Sequence, residues 1–308
     1  MTESCHLIID SCCDLPYEMI HRDDVELLEF PFFLSDGEHK DDCYLSISPH
    51  EFYEGIRKGE EPSTAQMPIQ VFKDSFSRAI ETKKPTVYLS FTSGLSGSFD
   101  AAVLVRDQLL EEHPDAELYI VDCFHASIPE GLLVFEAMNQ QERGLSAREL
   151  AKWAEEARFF IDTEFMVDDL TSLRRGGRIP RSVAFAGTKL DVKPLLNIAV
   201  DGTLALVGIA RGRKKGMRQI IEYYKKRRLE TEGLRTVIIG DADCPKDAER
   251  LKEMLLKEDE NLLVLRSAIG PVIGSHVGPD MLALAFWSRD RRENVSTSDK
   301  IAKKVQQS

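Results

Sequence analysis

The 308-residue sequence contains no run near the roughly 18 apolar residues of a membrane span, and its start, MTESCHLIIDS, has no cationic stretch leading into an apolar core. A soluble, cytoplasmic protein is expected. The six cysteines, Cys5, Cys12, Cys13, Cys43, Cys123 and Cys244, include no C-x-x-C pair and no His-x₃₋₅-His partner, so neither a zinc knuckle nor a dithiol redox motif is present. Cys12 and Cys13 beside Asp14 are metal-ligand types, but neighbours on an extended chain point apart, and reduced thiols are the expectation. Also missing are a Walker A loop, a G-x-G-x-x-G turn and a G-x-S-x-G elbow. Positive charge is scarce: 40 Lys and Arg stand against 52 Asp and Glu, a formal net charge of −12. That balance argues against non-specific binding of nucleic acid or anionic membrane, and no metal or cofactor is expected.

What is present reads as alternating strands and helices. CHLIIDS, PTVYLSF and AELYIVD are short apolar runs of strand type, and helical spacing follows in PIQVFKDSFSRAIETKK and after SFTSGLSGS. Strand, turn, helix and strand within about forty residues is a βαβ unit, so a mostly parallel sheet flanked by helices is expected over residues 1–161. Asp36-Gly37 is a hairpin signal after the run VELLEFPFFL, and EEPSTAQMP reads as a polar loop. Asp201-Gly202, between LLNIAV and TLALVGIA, is the strongest hairpin signal, and an α+β domain is expected over 162–288 with a loose polar tail at 289–308.

In open parallel sheets ligands sit beyond the carboxyl ends of the strands, which draws Asp10 and Ser11, the Ser90–Ser98 stretch and the Asp122–Ser127 stretch to one crevice. Ser93 and Ser96 lie near a helix start, where free N–H groups favour an anion, although a plain capping turn has the same residues. Ser63, Thr64 and Gln66 offer neutral polar groups between two prolines. His276 stands in the glycine-rich IGPVIGSHVGPD, either as donor or base or as a satisfied polar residue. Two basic clusters, Arg174, Arg175, Arg178 and Arg181, and Arg211, Arg213, Lys214 and Lys215, suggest a docking face for an acidic partner or a phosphate, or a solvated rim.

Six stretches in order, IIDSCCDLP, PSTAQMP, SFTSGLSGSFDAA, FMVDDLTSLRRGGRI, DGTLALVGIARGRKK and IGPVIGSHVGPDMLALAF, resemble the DegV family. Its best-understood members are the fatty-acid-binding subunits (FakB) of bacterial fatty acid kinase. The resemblance implies a long-chain fatty acid in a tunnel between two domains, its carboxylate held by Thr64, by a serine of the Ser93/Ser96 pair and by His276, with Arg174 nearby. It also implies a separate ATP-binding kinase subunit that converts the bound acid to an acyl phosphate for phospholipid synthesis. This chain would then be a non-catalytic presenting subunit, with Arg211, Arg213, Lys214 and Lys215 facing the kinase and with room for transient membrane contact. Neutral donors suit such a site, since a buried carboxylate needs several hydrogen bonds and each buried methylene adds about 0.8 kcal/mol. Three positions depart from the family pattern: Cys12-Cys13 stands where Thr-Ala is common, Ala65 where Ser is usual, and Asp280 where Gly is usual. Asp280 would either act on His276 or face water. Two other readings remain, a serine acyl hydrolase using Ser96, His276 and Asp280, and a passive lipid chaperone.

Overall fold

The computed structural model describes residues 5–180, 191–230 and 233–294. Seven strands precede residue 123: β1 (His6–Asp10), β2 (Val25–Leu28), β3 (Pro31–Leu34), β4 (Gly37–Lys40), β5 (Ser63–Thr64), β6 (Thr86–Ser90) and β7 (Leu118–Asp122). Four of them make an all-parallel sheet in the order β2-β1-β6-β7. Every residue of β6 is buried, as is all of β1 after His6, which is why their sequences read as unbroken apolar runs. Chain order reverses between β1 and β6, so their carboxyl ends frame a crevice. Buried Asp10 ties those ends together by accepting from the Phe91 N–H and the Tyr88 hydroxyl, each at 2.9 Å.

The run VELLEFPFFL does not form one strand. It breaks at Glu29-Phe30, where the Phe30 N–H donates to Ser11 Oγ, and Pro31 opens β3 in a second, antiparallel sheet of order β4-β3-β5. Leu34 pairs with Gly37, so the hairpin loop is Ser35-Asp36, one residue before the expected Asp36-Gly37. The polar loop EEPSTAQMP contributes Ser63 and Thr64 to this sheet, where Thr64 pairs with Phe32.

Six further strands, β8 (Ile161–Met166), β9 (Val192–Ile198), β10 (Leu204–Arg211), β11 (Thr236–Asp241), β12 (Leu263–Ala268) and β13 (Leu282–Trp287), form a sheet of order β10-β9-β8-β13-β11-β12. All neighbours in it are antiparallel except β11 and β12. The β9–β10 hairpin exists, but Asp201-Gly202 is not its two-residue turn. The Gly202 N–H donates to the Ala199 carbonyl (2.9 Å), the Ala199 N–H donates to the Thr203 carbonyl (2.7 Å), and Gly202 takes φ +81°, a turn closed by a left-handed bulge glycine. Between the parallel sheet and this one lies the Ile128–Glu142 helix, buried on nearly all sides and packed against β8, β11 and β13. Its apolar character all round follows from that position.

The architecture is the expected α/β arrangement with a second sheet-rich half. The expected loose tail begins later than residue 289. Arg291 is buried, ion-paired with Asp162 at 3.8 Å, and donates to the Ile198 carbonyl, so the chain is tied to the second sheet beyond residue 289. Residues 295–308 lie outside the described residues. Among the described residues no helix is long and apolar enough to cross a membrane.

Candidate functional site

An apolar cavity with about 730 Å³ of atom-free space, part of it open to solvent, lies between the two halves. Phe30, Phe91 and Ile128 line it from one side, and Phe165, Ile198 and Leu204 from the other. Cys12, at the carboxyl end of β1, also lines it. Polar groups gather where three segments meet: β5, the Phe91–Ser98 turn and the short helix Pro271–Val277.

Thr64 Oγ1 lies 2.8 Å from His276 Nε2. The helix that carries His276 packs closely on the first half: a Cβ on Gly274 would press on Phe52 and Tyr53. Just before it, the hydroxyls of Tyr44 (2.5 Å) and Tyr53 (2.7 Å) both donate to the Ile269 carbonyl. The far side of the imidazole rests on Gly176, where a Cβ would overlap Nδ1, and Nδ1 is buried without a hydrogen-bond partner. Burial, then the nearby charges of Arg178 and Arg175, push His276 down to about 4, so the ring is neutral at pH 7. With the proton on Nε2, His276 donates to Thr64 and leaves the Thr64 hydrogen free to donate to a ligand oxygen.

Ser96 lines the cavity, and its Oγ accepts the Ser98 N–H (3.2 Å) and lies 2.9 Å from Ser98 Oγ. Ser98 Oγ in turn accepts the Met67 N–H at 3.1 Å, which stitches this turn to the loop holding Thr64. Gly97 makes the approach feasible, because a Cβ there would overlap Gln66 Nε2.

Three expected site residues lie elsewhere. Ser93 is exposed, and its N–H donates to Asp122 Oδ1 at 3.2 Å; it does not line the cavity because the turn directs Ser96 inward instead. Arg174 is also off the cavity, and Arg178 takes the place expected of it. The helix Thr171–Arg175 ends at Gly176-Gly177, where Gly177 adopts φ +72°, and the reversal folds Arg178 back so that Nε donates to the Leu95 carbonyl (3.2 Å) and Nη1 to the Gly176 carbonyl (2.6 Å). Arg213 is not a free surface cation: it is paired with Asp247 and Asp168 and donates to the Asp280 carbonyl, whereas Arg211, Lys214 and Lys215 are exposed. Arg181 lies outside the described residues.

Asp280 faces neither His276 nor open water alone. It adopts φ +62° and pairs with Arg57 Nη2 at 3.1 Å. With Ser96 bonded within its own turn and His276 bonded to Thr64, the Ser-His-Asp arrangement needed for acyl hydrolysis is not assembled.

The chain matches, over residues 4–289, the family model described as "Uncharacterised protein, DegV family". A DegV domain-containing protein of Clostridium perfringens is 35% identical over 280 residues, covering 91% of this chain and 96% of the relative. A structure described as fatty acid binding of a DegV family protein from Thermus thermophilus is 28% identical, with a TM-score of 0.79 over 93% of this chain and all of that one. The Streptococcus pneumoniae fatty acid kinase B3 protein, loaded with linoleic acid, shares the fold with a TM-score of 0.80 at 19% identity, over 93% of this chain and 100% of that one. Family model, relative and fold agree, and the chain is a member of the DegV family.

Proposed function

We propose that this protein binds a long-chain fatty acid between lobes formed by residues 1–161 and 162–288, with the acyl tail in the cavity and the carboxylate at Thr64, Ser96 and His276. The observation that carries this reading is the 2.8 Å Thr64–His276 pair at the polar end of an otherwise apolar cavity. Neutral donors there satisfy a buried carboxylate without burying a second permanent charge beside the chain, and Arg178 adds a cation at the rim of the group. The fatty-acid-binding description of the Thermus thermophilus relative supports the ligand class.

The role we assign is presentation, not catalysis. A separate ATP-dependent kinase subunit docks at the face bearing Arg211, Lys214 and Lys215 and converts the carboxylate to an acyl phosphate, which feeds phospholipid synthesis. The likeness in fold to the Streptococcus pneumoniae kinase protein supports this step.

Mass spectrometry of the purified protein, native and after solvent extraction, tests the first part. One C14 to C18 acid per chain, lost in Thr64→Ala and His276→Ala, is the expected result; a protein that neither carries nor takes up fatty acid sinks the reading. Adding a kinase subunit and ATP tests the second part. Binding without acyl phosphate formation, whatever the kinase subunit supplied, would make the protein a lipid carrier alone.

A further inference from the structure

The helix Pro49–Arg57 sets His50 and Glu54 four residues apart on one face, opposite Asp243 in the turn after β11. His50 Nδ1 lies 3.0 Å from Asp243 Oδ2, and one ligand atom from each of His50, Glu54 and Asp243 lies within 4.8 Å of the others. The Asp243 side chain is only 14% exposed, and the residue adopts φ +60°.

Arg57 is wedged into this group. Its Nη1 donates to Glu54 Oε1 (3.1 Å) and Asp243 Oδ2 (2.5 Å), and its Nη2 donates to the Asp243 carbonyl (3.3 Å) and Asp280 Oδ1 (3.1 Å). Three carboxylates therefore share one guanidinium, and a metal between His50, Glu54 and Asp243 would compete with Arg57 Nη1 for the Glu54 and Asp243 carboxylates.

We propose that His50, Glu54 and Asp243 bind a divalent transition-metal ion of the zinc class at the seam between the two halves. One imidazole nitrogen with two carboxylate oxygens suits such an ion, with water in the remaining position, whereas Mg²⁺ and Ca²⁺ favour oxygen alone. The metal would displace Arg57 Nη1 from Asp243 Oδ2 and Glu54 Oε1, while Nη2 keeps the Asp280 carboxylate and the Asp243 carbonyl. The adjacent Cys244 is not a ligand, since its thiol donates to the Met281 carbonyl at 3.3 Å. Bound metal would join the helix carrying Phe52 and Tyr53, which abut the His276 helix, to the end of β11.

The test is calorimetric titration of the metal-stripped full chain with ZnCl₂, with thermal unfolding recorded in parallel. One ion per chain at micromolar affinity and a raised Tm are expected, with no response to equal MgCl₂. His50→Ala, at an exposed position, and Asp243→Asn weaken binding by roughly tenfold or more. Arg57→Gln tightens it, because a competing cation is gone. Binding that survives His50→Ala unchanged, or none below about 1 mM, overturns the site.

Discussion

The Thr92 hydroxyl donates to the Gly202 carbonyl at 3.2 Å, joining the turn after β6 to the tip of the β9–β10 hairpin. The fit is close on both sides: a Cβ on Gly94 would lie 2.6 Å from the Gly202 carbonyl carbon, and one on Gly202 would overlap Thr92 Oγ1. Gly202 is left-handed as well, so Gly202→Ala suffers backbone strain and overlap together, and a loss of about 2 kcal/mol in urea unfolding is expected. Ile198 and Leu204 line the cavity from the base of this hairpin, so bound fatty acid should also leave faster. An unchanged unfolding midpoint would remove the hairpin tip from any latching role.

Ser96 and Ser93 should behave differently. Ser96→Ala removes a hydroxyl from the cavity and weakens fatty acid binding by roughly tenfold, about the value of one hydrogen bond to a charged group. Ser93→Ala leaves the affinity unchanged, because Ser93 faces Asp122. Displacement of a fluorescent fatty acid measures both, and equal losses would contradict the geometry.

Arg178→Gln tests the charge at the polar end. A fatty acid and the matching fatty alcohol share a tail, so the ratio of their affinities isolates the head group. That ratio should shrink by roughly tenfold in the variant, since Arg178 interacts with charge rather than with the chain. A ratio that stays fixed would make Arg178 only a tie between the Leu95 and Gly176 carbonyls.

Stability should fall with rising pH through Asp41. This carboxyl is buried, with Oδ2 unpartnered, and both Asp41 Oδ2 (3.1 Å) and Asp14 Oδ1 crowd the space a Cβ on Gly270 would fill. Burial pushes Asp41 up to about 7, although hydrogen bonds from Cys43, Val272 and Ser11 oppose the shift. The folded protein therefore holds this proton more tightly than the unfolded chain does, and the stability it gives is complete below about pH 4 and lost as pH rises to about 7. Asp14 is raised in the same direction, mainly by burial and then by Asp41. Asp41→Asn should flatten the decline in Tm between pH 5 and 7; a slope equal to that of the parent would place the titration elsewhere.

The sequence made β1, β6 and β7 legible as short apolar runs bounded by turn residues, and the helices legible by their three- to four-residue apolar spacing. Of the candidate site, Thr64, Ser96 and His276, brought forward by the family resemblance, line one cavity. What escaped depends on distant contacts. Pro271–Val277 is a seven-residue helix, PVIGSHV, too short to show a helical stripe. The choice of Arg178 over Arg174 is made by the reversal at Gly176-Gly177, and the inward choice of Ser96 over Ser93 by the direction of one turn. Asp280 finds its partner 223 residues away at Arg57, and Arg213 finds Asp247 on another helix. Local residue type gave these charges no preference between solvent and partner.

The docking of Arg291 has a consequence for biosynthesis. The ribosome delivers Asp162 and the Ile198 stretch of the cavity wall long before it delivers the arginine that serves both. Until then Asp162 has Arg227 and the Tyr223 hydroxyl beside it, and the Ile198 carbonyl lacks the Arg291 donor. Chains clipped after Trp287 keep all six strands of the second sheet but lose Arg291, and should expose the seam between Asp162 and Ile198 to chaperones and proteases.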